Sequence, residues 1–331
     1  MDLKHLLDSV WGLKVTEVKP IDQGLINHTW LVRTPTHNFI LQQINTSVFK
    51  NPVLLQDQLH WLSQNLVLEN LVPLEFMELK GQTCFEYEQQ FFRLLRAISP
   101  SISLSQLDDH IARLAASALL AFHAALRKVT SEKWTEPINN FLSPNFRVAA
   151  YYEAKQNANP KLLEASKDAI FSLERQIHLI HAWQALLDTE PKELIHADPK
   201  LSNFLFATNA KAVRALIDWD TIQFGSPYYD YADMIRSFCS AGEEIHSEQK
   251  LFKATIFEAL LATFKVDENK LYTATQGLIL VQALRFLSDF LEGNRYYKVN
   301  DALHNLRRAE NQLQLVKELQ AHWLTTRKQA Q

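Results

Sequence analysis

The chain has 331 residues, 47% of them hydrophobic and 21% charged, with a net charge of −3, an ordinary globular composition. It has no basic excess with which to grip a phosphate backbone, so nucleic acid is not an expected partner. No apolar run approaches the ~20 residues that span a bilayer, and the charge-punctuated start MDLKHLLDSVWGLKV lacks a signal-peptide core.

The two cysteines, Cys84 and Cys239, match no zinc or CxxC spacing. Two buried free thiols in a cytoplasmic protein are therefore expected, with no membrane association. Length suits two domains or one bilobal unit.

The first hundred residues read as strand-rich. Val15–Lys19, Thr29–Arg33 and Phe39–Ile44 are short β-prone runs separated by Asp22-Gln23-Gly24 and Thr34-Pro35-Thr36. Leu54, Leu55, Leu59, Leu62 and Leu66 recur at helical spacing, which predicts a helix over Pro52–Leu68. Strands at Thr83–Tyr87 and Phe91–Ile98 then lead into Ser99-Pro100-Ser101, the expected boundary between an N-terminal lobe (1–98) and a C-terminal lobe (99–331).

Beyond that boundary the pattern turns helical. Ser105 with Asp108 has the form of a capping box for a helix ending near Lys128. Further helices are expected over Pro160–Asp188, Glu243–Phe264, Glu268–Glu292 and Asp301–Trp323. Only Glu193–Phe238 interrupts them, with a β-hairpin near residues 203–218. The layout is α+β: a small β-rich lobe before a large helical one, as in protein-kinase-like bilobal folds.

The chemistry concentrates at Leu194-Ile195-His196-Ala197-Asp198-Pro199-Lys200-Leu201-Ser202-Asn203, which contains H-x-D-x-x-x-x-N, the spacing of a kinase catalytic loop. Fifteen residues after Asn203 an apolar strand, Ala215-Leu216-Ile217, ends in Asp218. Phosphoryl transfer needs these residue types. Asp198 would orient the acceptor hydroxyl and take its proton, and Asn203 and Asp218 offer the hard oxygen ligands that Mg²⁺ prefers. His196 reads as a brace for the loop, and Lys200, two residues past the base, is within reach of a γ-phosphate. Trp219 reads as core. Asp230 and Asp233 read as caps or loop braces, and Arg236 as a partner for one of them.

Taken together, four stretches resemble the aminoglycoside phosphotransferase and choline kinase superfamily, and more narrowly its N-acetylhexosamine 1-kinase branch. They are Gly24–Trp30, Phe39–Asn45 with Phe49–Pro52, Ile217–Thr221 continuing to Tyr229–Arg236, and Arg285–Tyr297. The resemblance implies ATP and Mg²⁺ as cofactors and a small-molecule acceptor, a sugar phosphorylated on its anomeric hydroxyl. It places Gly24 and Gln42 at the nucleotide phosphates, Arg96, Ala97 and Ile98 at the adenine, and Asn27, Arg285 and Tyr296 at the acceptor. Arg285 and Asp289 are also spaced i,i+4, as a plain surface ion pair would be.

Three departures stand out. The glycine-rich loop is reduced to Gly24, neutral Gln42 stands where such kinases offer a lysine, and His28 replaces an expected aspartate.

Other readings remain open on sequence. Choline, homoserine or an aminoglycoside could be the acceptor, or the chain could bind nucleotide without turnover. The run Asp218-Trp219-Asp220-Thr221 also fits the D-x-D-x-T of haloacid-dehalogenase-type enzymes. That fold needs alternating strands and helices afterwards, and the remaining residues read as almost wholly helical.

Overall fold

Period-two alternation in the first hundred residues builds one antiparallel sheet. The computed structural model describes residues 2–21, 26–129, 134–241 and 251–328. After helix α1 (Leu3–Trp11) come β1 (Glu17–Ile21), β2 (His28–Arg33) and β3 (Asn38–Ile44), then α2 (Pro52–Asn65), β4 (Phe85–Tyr87) and β5 (Gln90–Arg96). The strand order is β1-β2-β3-β5-β4.

Alternate side chains of a strand point to opposite faces. Phe39 and Leu41 of β3 thus join Phe92 and Leu94 of β5 in an apolar layer with Leu6 and Leu7 of α1. Ile40, Gln42, Arg93 and Leu95 look the other way, into a cavity. Helix α1 was not expected from sequence. Its amphipathic pattern lies within a short, charge-punctuated segment, yet Asp2 caps it by accepting from the Lys4 and His5 N–H groups, and Gly12 ends it at φ +64°.

The larger part is helical. It comprises α3 (Asp109–Leu126), α4 (Pro144–Asn157), α5 (Pro160–Ala165), α6 (Lys167–Glu174) and α7 (Ile177–Thr189). Four short strands follow, β6 (Glu193–Ile195), β7 (Phe204–Phe206), β8 (Val213–Leu216) and β9 (Gln223–Gly225). The chain closes with α8 (Pro227–Phe238), α9 (Ala254–Phe264), α10 (Glu268–Leu291) and α11 (His304–Lys328). α10 is the axis, buried over most of its length and packed on α4, α7, α8 and α11.

Several expectations change in detail. The N-cap of α3 is Asp108, whose carboxylate accepts from the Ile111 N–H at 2.8 Å, and not Ser105. The single helix expected over 160–188 is three, the first break falling at Ser166, whose hydroxyl turns back to the Leu162 carbonyl at 2.7 Å. α4, capped by Ser143 with Pro144 in its first turn, was not anticipated. The helix expected from Glu243 starts only at Ala254, after Lys253 as its N-cap and a bridge of Phe252 to Ser240, and 242–250 lie outside the described residues.

After Asp218 come a 3₁₀ turn, β9 paired antiparallel with β6, and then helices. The alternation a dehalogenase-type fold requires is missing among the described residues. No described helix is long and apolar enough to cross a membrane. Cys84 and Cys239 are free and buried.

Candidate active site

The loop between β6 and β7 carries His196, Asp198, Lys200 and Asn203, and the β7–β8 hairpin brings Asp218 back to it. Phe204 pairs with Leu216, and the Ile217 N–H donates to the Asn203 carbonyl at 2.8 Å. The Asn203 amide donates to the Asp198 carbonyl at 2.8 Å and to Asp198 Oδ2 at 3.2 Å. Lys200 Nζ donates to the same Oδ2 at 2.6 Å. Both contacts fall on Oδ2, which leaves Oδ1 to meet another group.

Buried polar groups fix this loop. Asp230 of α8 accepts from the His196 N–H at 2.8 Å and the Ala197 N–H at 2.7 Å, and lies 2.7 Å from His123 Nε2 of α3. His196 Nε2 meets the Ile217 carbonyl at 2.9 Å, and the Thr221 hydroxyl donates to the His196 carbonyl at 2.9 Å. Ala197 at φ +64° and Asp218 at φ +66° both occupy the left-handed region, a strained state that the surrounding bonds must hold. His196, expected as a brace, is one. Trp219, 1% exposed with its indole N–H on the Leu216 carbonyl, is core.

Burial, and then the neighbouring Asp220 charge, push the Asp218 carboxyl above the usual carboxylate range. Burial alone would pull Lys200 down, but Asp198 and Asp218 hold its ammonium above its ordinary value. Asp218 makes no hydrogen bond with the described residues, unlike Asp198 and Asp220. A half-buried carboxylate that lines the cavity together with Asn203 fits a small hard dication such as Mg²⁺.

That cavity, about 350 Å³, lies between the sheet and the catalytic loop. Ile40, Leu74, Phe76 and Leu95 line its apolar end beside the Arg96–Ile98 connection, and Gln42, Arg93, Lys200, Asn203, Asp218 and Asp220 its polar end. Arg96 pairs with Glu75 at 2.9 Å, and the Ala97 N–H donates to the Asn38 carbonyl at 3.0 Å.

Asn27, expected at the acceptor, is bonded to Asp220, which lines the polar end. It donates to Asp220 Oδ2 at 2.6 Å and accepts from the Asn45 N–H at 3.0 Å. The β2–β3 pairing sets Asn27 next to Asn45. Gly24 lies outside the described residues.

Arg285 and Tyr296 belong to a second cluster, at the meeting of α4, α8, α10 and the turn after α10. Arg285 donates to Gln282 at 3.0 Å and sits 5.8 Å over the rings of both Phe141 and Tyr297. Asp289 is buried. It accepts from the Tyr296 and Tyr297 N–H groups at 2.7 and 3.0 Å and from Asn305 at 2.7 Å, so it shapes this turn in place of pairing with Arg285.

Tyr296 is 61% exposed. Arg147 of α4 joins the cluster, its pKa lowered by burial and by the Arg285 charge. The Arg147 Nε and the Tyr297 hydroxyl are buried without a partner. Arg236, on the side of the cluster nearer the loop, pairs with Asp233 at 2.8 Å. Burial raises the Asp233 pKa, and after Arg236 the Asp198 charge acts on it too; the cluster and the catalytic loop are electrical neighbours.

Residues 17–246 match the family described as the phosphotransferase enzyme family. The chain belongs to that family. Solved structures share the kinase-like fold of this phosphotransferase. A spectinomycin phosphotransferase in complex with ADP and spectinomycin is 13% identical, with 96% of each chain covered and a TM-score of 0.63. An aminoglycoside phosphotransferase from Alicyclobacillus acidocaldarius is 15% identical, with 95% of each covered and a TM-score of 0.59. A thermostable mutant of another, in a ternary complex with ADP and hygromycin B, is 15% identical over 94% of this chain and 97% of its own, with a TM-score of 0.57. At such identities the likeness concerns the fold.

Sequence reasoning did not single out two residues of this candidate site, Arg93 and Arg147. Arg93 is visible in retrospect as the one charge inside the apolar run Phe91-Phe92-Arg93-Leu94-Leu95. Arg147 gives no local signal, because its meaning comes from helices that meet only in three dimensions.

Proposed function

We propose that this phosphotransferase moves the γ-phosphoryl group of ATP, with Mg²⁺, to a hydroxyl of a small sugar such as the anomeric hydroxyl of an N-acetylhexosamine. In this reading residues 1–98 hold the nucleotide and residues 99–331 carry the base and the acceptor, in a cytoplasmic enzyme. The observation that carries it is the position of Asp198, between a nucleotide-sized cavity with Asn203 and Asp218 at its polar end and a donor-rich arginine–tyrosine cluster.

Asp198 Oδ1 receives the proton of the acceptor hydroxyl while Lys200 and Asn203 fix Oδ2, which confines the carboxylate to one orientation. Asn203 and Asp218 would hold Mg²⁺, which neutralises charge on the β- and γ-phosphates when bound. Lys200 is placed to exchange Asp198 for a phosphate oxygen. The apolar end of the cavity takes the adenine against the Arg96–Ile98 connection. The Ala97 N–H is already committed to Asn38, so the contacts there fall to the other backbone groups.

The acceptor side favours a sugar over an aminoglycoside. Arg147 and Arg285 have no carboxylate partner among the described residues, and with Tyr296 and Tyr297 they offer N–H and O–H donors to hydroxyl and acetamide oxygens. Polycationic acceptors would meet like charge there.

The experiment is ADP release from ATP and Mg²⁺ across N-acetylglucosamine, N-acetylgalactosamine, unmodified hexoses, choline, homoserine and an aminoglycoside. Turnover confined to the N-acetylhexosamines, lost in Asp198→Ala, is the expected result. Turnover with the aminoglycoside alone discards the sugar and keeps the kinase. Asp198→Ala with wild-type activity discards the mechanism.

A further inference from the structure

Kinases of this fold commonly place a lysine on the third strand, paired with a glutamate on the helix that follows. Here the cavity-facing position of β3 is Gln42, and the buried polar residue of α2 that approaches it is Gln56, both neutral. The positive charge sits one strand over. Arg93 of β5 is the register partner of Gln42, so the two side chains leave the same face of the sheet into the cavity.

The Arg93 guanidinium is held by Gln42, Gln56 and Asp220. Nε donates to Gln42 Oε1 at 2.9 Å and Nη1 to Gln56 Oε1 at 3.3 Å. The two Nη atoms bracket Asp220, at 2.6 Å to Oδ1 and 2.9 Å to Oδ2. Asp220 also accepts from Asn27 at 2.6 Å. The side chains of Arg93 and Asp220 are 2% and 3% exposed.

A buried ion pair of this kind is costly to assemble and seldom explained by stability alone. Three of the five guanidinium N–H groups donate in these hydrogen bonds, the Nη1–Oδ1 contact is an ion pair, and the side chain lines the cavity. Asp220 stands two residues from Asp218 on the same 3₁₀ turn.

We propose that Arg93 is the cation of the nucleotide site. It presents positive charge to the phosphate end of the bound nucleotide, as a third-strand lysine does elsewhere, and acts as a positioning residue for Asp218 by clamping Asp220. Gln42 and Gln56 are neutral because their task is to aim this guanidinium, and a lysine or glutamate beside it would repel it or compete with Asp220. The inference rests on reading the cavity as the nucleotide site.

The test is calorimetric and needs no acceptor. Titrate the full-length protein with Mg·AMP-PNP and, separately, with adenosine, which has the base and sugar but no phosphate. Arg93→Gln should weaken Mg·AMP-PNP about tenfold or more, the worth of a charged hydrogen bond, while adenosine binds as in wild type. Gln42→Lys combined with Arg93→Gln returns a cation to the same face of the same strand pair and should recover most of the lost Mg·AMP-PNP affinity. In ATP turnover Arg93→Gln should raise KM for ATP as well as lower kcat.

If Arg93→Gln does not fold, the double variant decides: Mg·AMP-PNP affinity near wild type supports the role. Folded variants that bind Mg·AMP-PNP as wild type does without any cation at 42 or 93 overturn it. So does a double variant that binds adenosine normally but recovers nothing for Mg·AMP-PNP. Wild-type protein that binds neither ligand overturns the nucleotide reading itself, an outcome separate from both.

Discussion

Replacing Asp230 should cost more than any other single change in the catalytic loop, although Asp230 lies 32 residues beyond Asp198. Its two oxygens serve the His196 N–H, the Ala197 N–H and His123, and all four residues are buried. Asp230→Ala leaves three buried polar groups unpaired, each worth roughly 1–3 kcal/mol, so about 3–9 kcal/mol in sum. That is a large share of the ~5–15 kcal/mol that holds a domain together.

The loss is not only global. Ala197 keeps its left-handed backbone because its N–H is held, and without that bond the peptide relaxes and carries Asp198 with it. Chemical denaturation should show a midpoint shifted downward with an unchanged m-value. At a temperature where the variant is still folded, kcat should fall while nucleotide affinity changes little. Asp230→Asn keeps the volume but turns an amide N–H toward donors, so it should lose activity as well. An Asp230→Ala variant within about 1 kcal/mol of wild type and with wild-type kcat would refute the claim that this carboxylate sets the loop.

Other outcomes follow from the same geometry. Asp218→Asn removes a charge whose carboxyl is raised in the fold by burial and by Asp220. A raised carboxyl favours the folded state below its unfolded pKa, and this contribution is lost as pH rises through the folded value. Metal-free Asp218→Asn should thus melt higher than metal-free wild type at neutral pH by differential scanning calorimetry, with the gap closing toward pH ~4, and should be inactive. Gly277→Ala places a Cβ against Trp183 Cβ and Cγ where α10 crosses α7; the overpacking should cost about 1–3 kcal/mol by urea denaturation and outweigh the gain in helix propensity. Burial pushes the Cys84 thiol up to about 11. Its thiolate is scarce at pH 8, and a thiol-reactive dye should label Cys84 only as pH nears 11 or after unfolding.

How far the sequence disclosed this molecule depends on how local each signal is. The H-x-D-x-x-x-x-N spacing and the strand ending in Asp218 are contiguous, so the loop and the hairpin behind it were legible. Strands β2 and β3 were legible for the same reason, because alternation survives without knowledge of the partner. Asn27 illustrates the limit. Nothing near it tells whether its amide faces an acceptor or closes on Asp220, 193 residues away in the chain. The cluster around Arg285 is similar, since Arg147 enters from a helix whose apolar face is faint. Helix α1 escaped because nine residues hold too few turns to establish a period.

The two faces of the N-terminal sheet divide its duties. Phosphate chemistry demands amides, a guanidinium and open space on one side, none of which holds strands together. The opposite side must therefore supply the cohesion, and Leu6 and Leu7 of α1 complete that layer over Val32, Phe39, Leu41, Phe92 and Leu94. Helix α1 is in this sense the back wall of the cavity: with the nucleotide seated as proposed, a tag or truncation that unseats the helix acts on ATP handling from behind the sheet, without touching any group that faces the cavity.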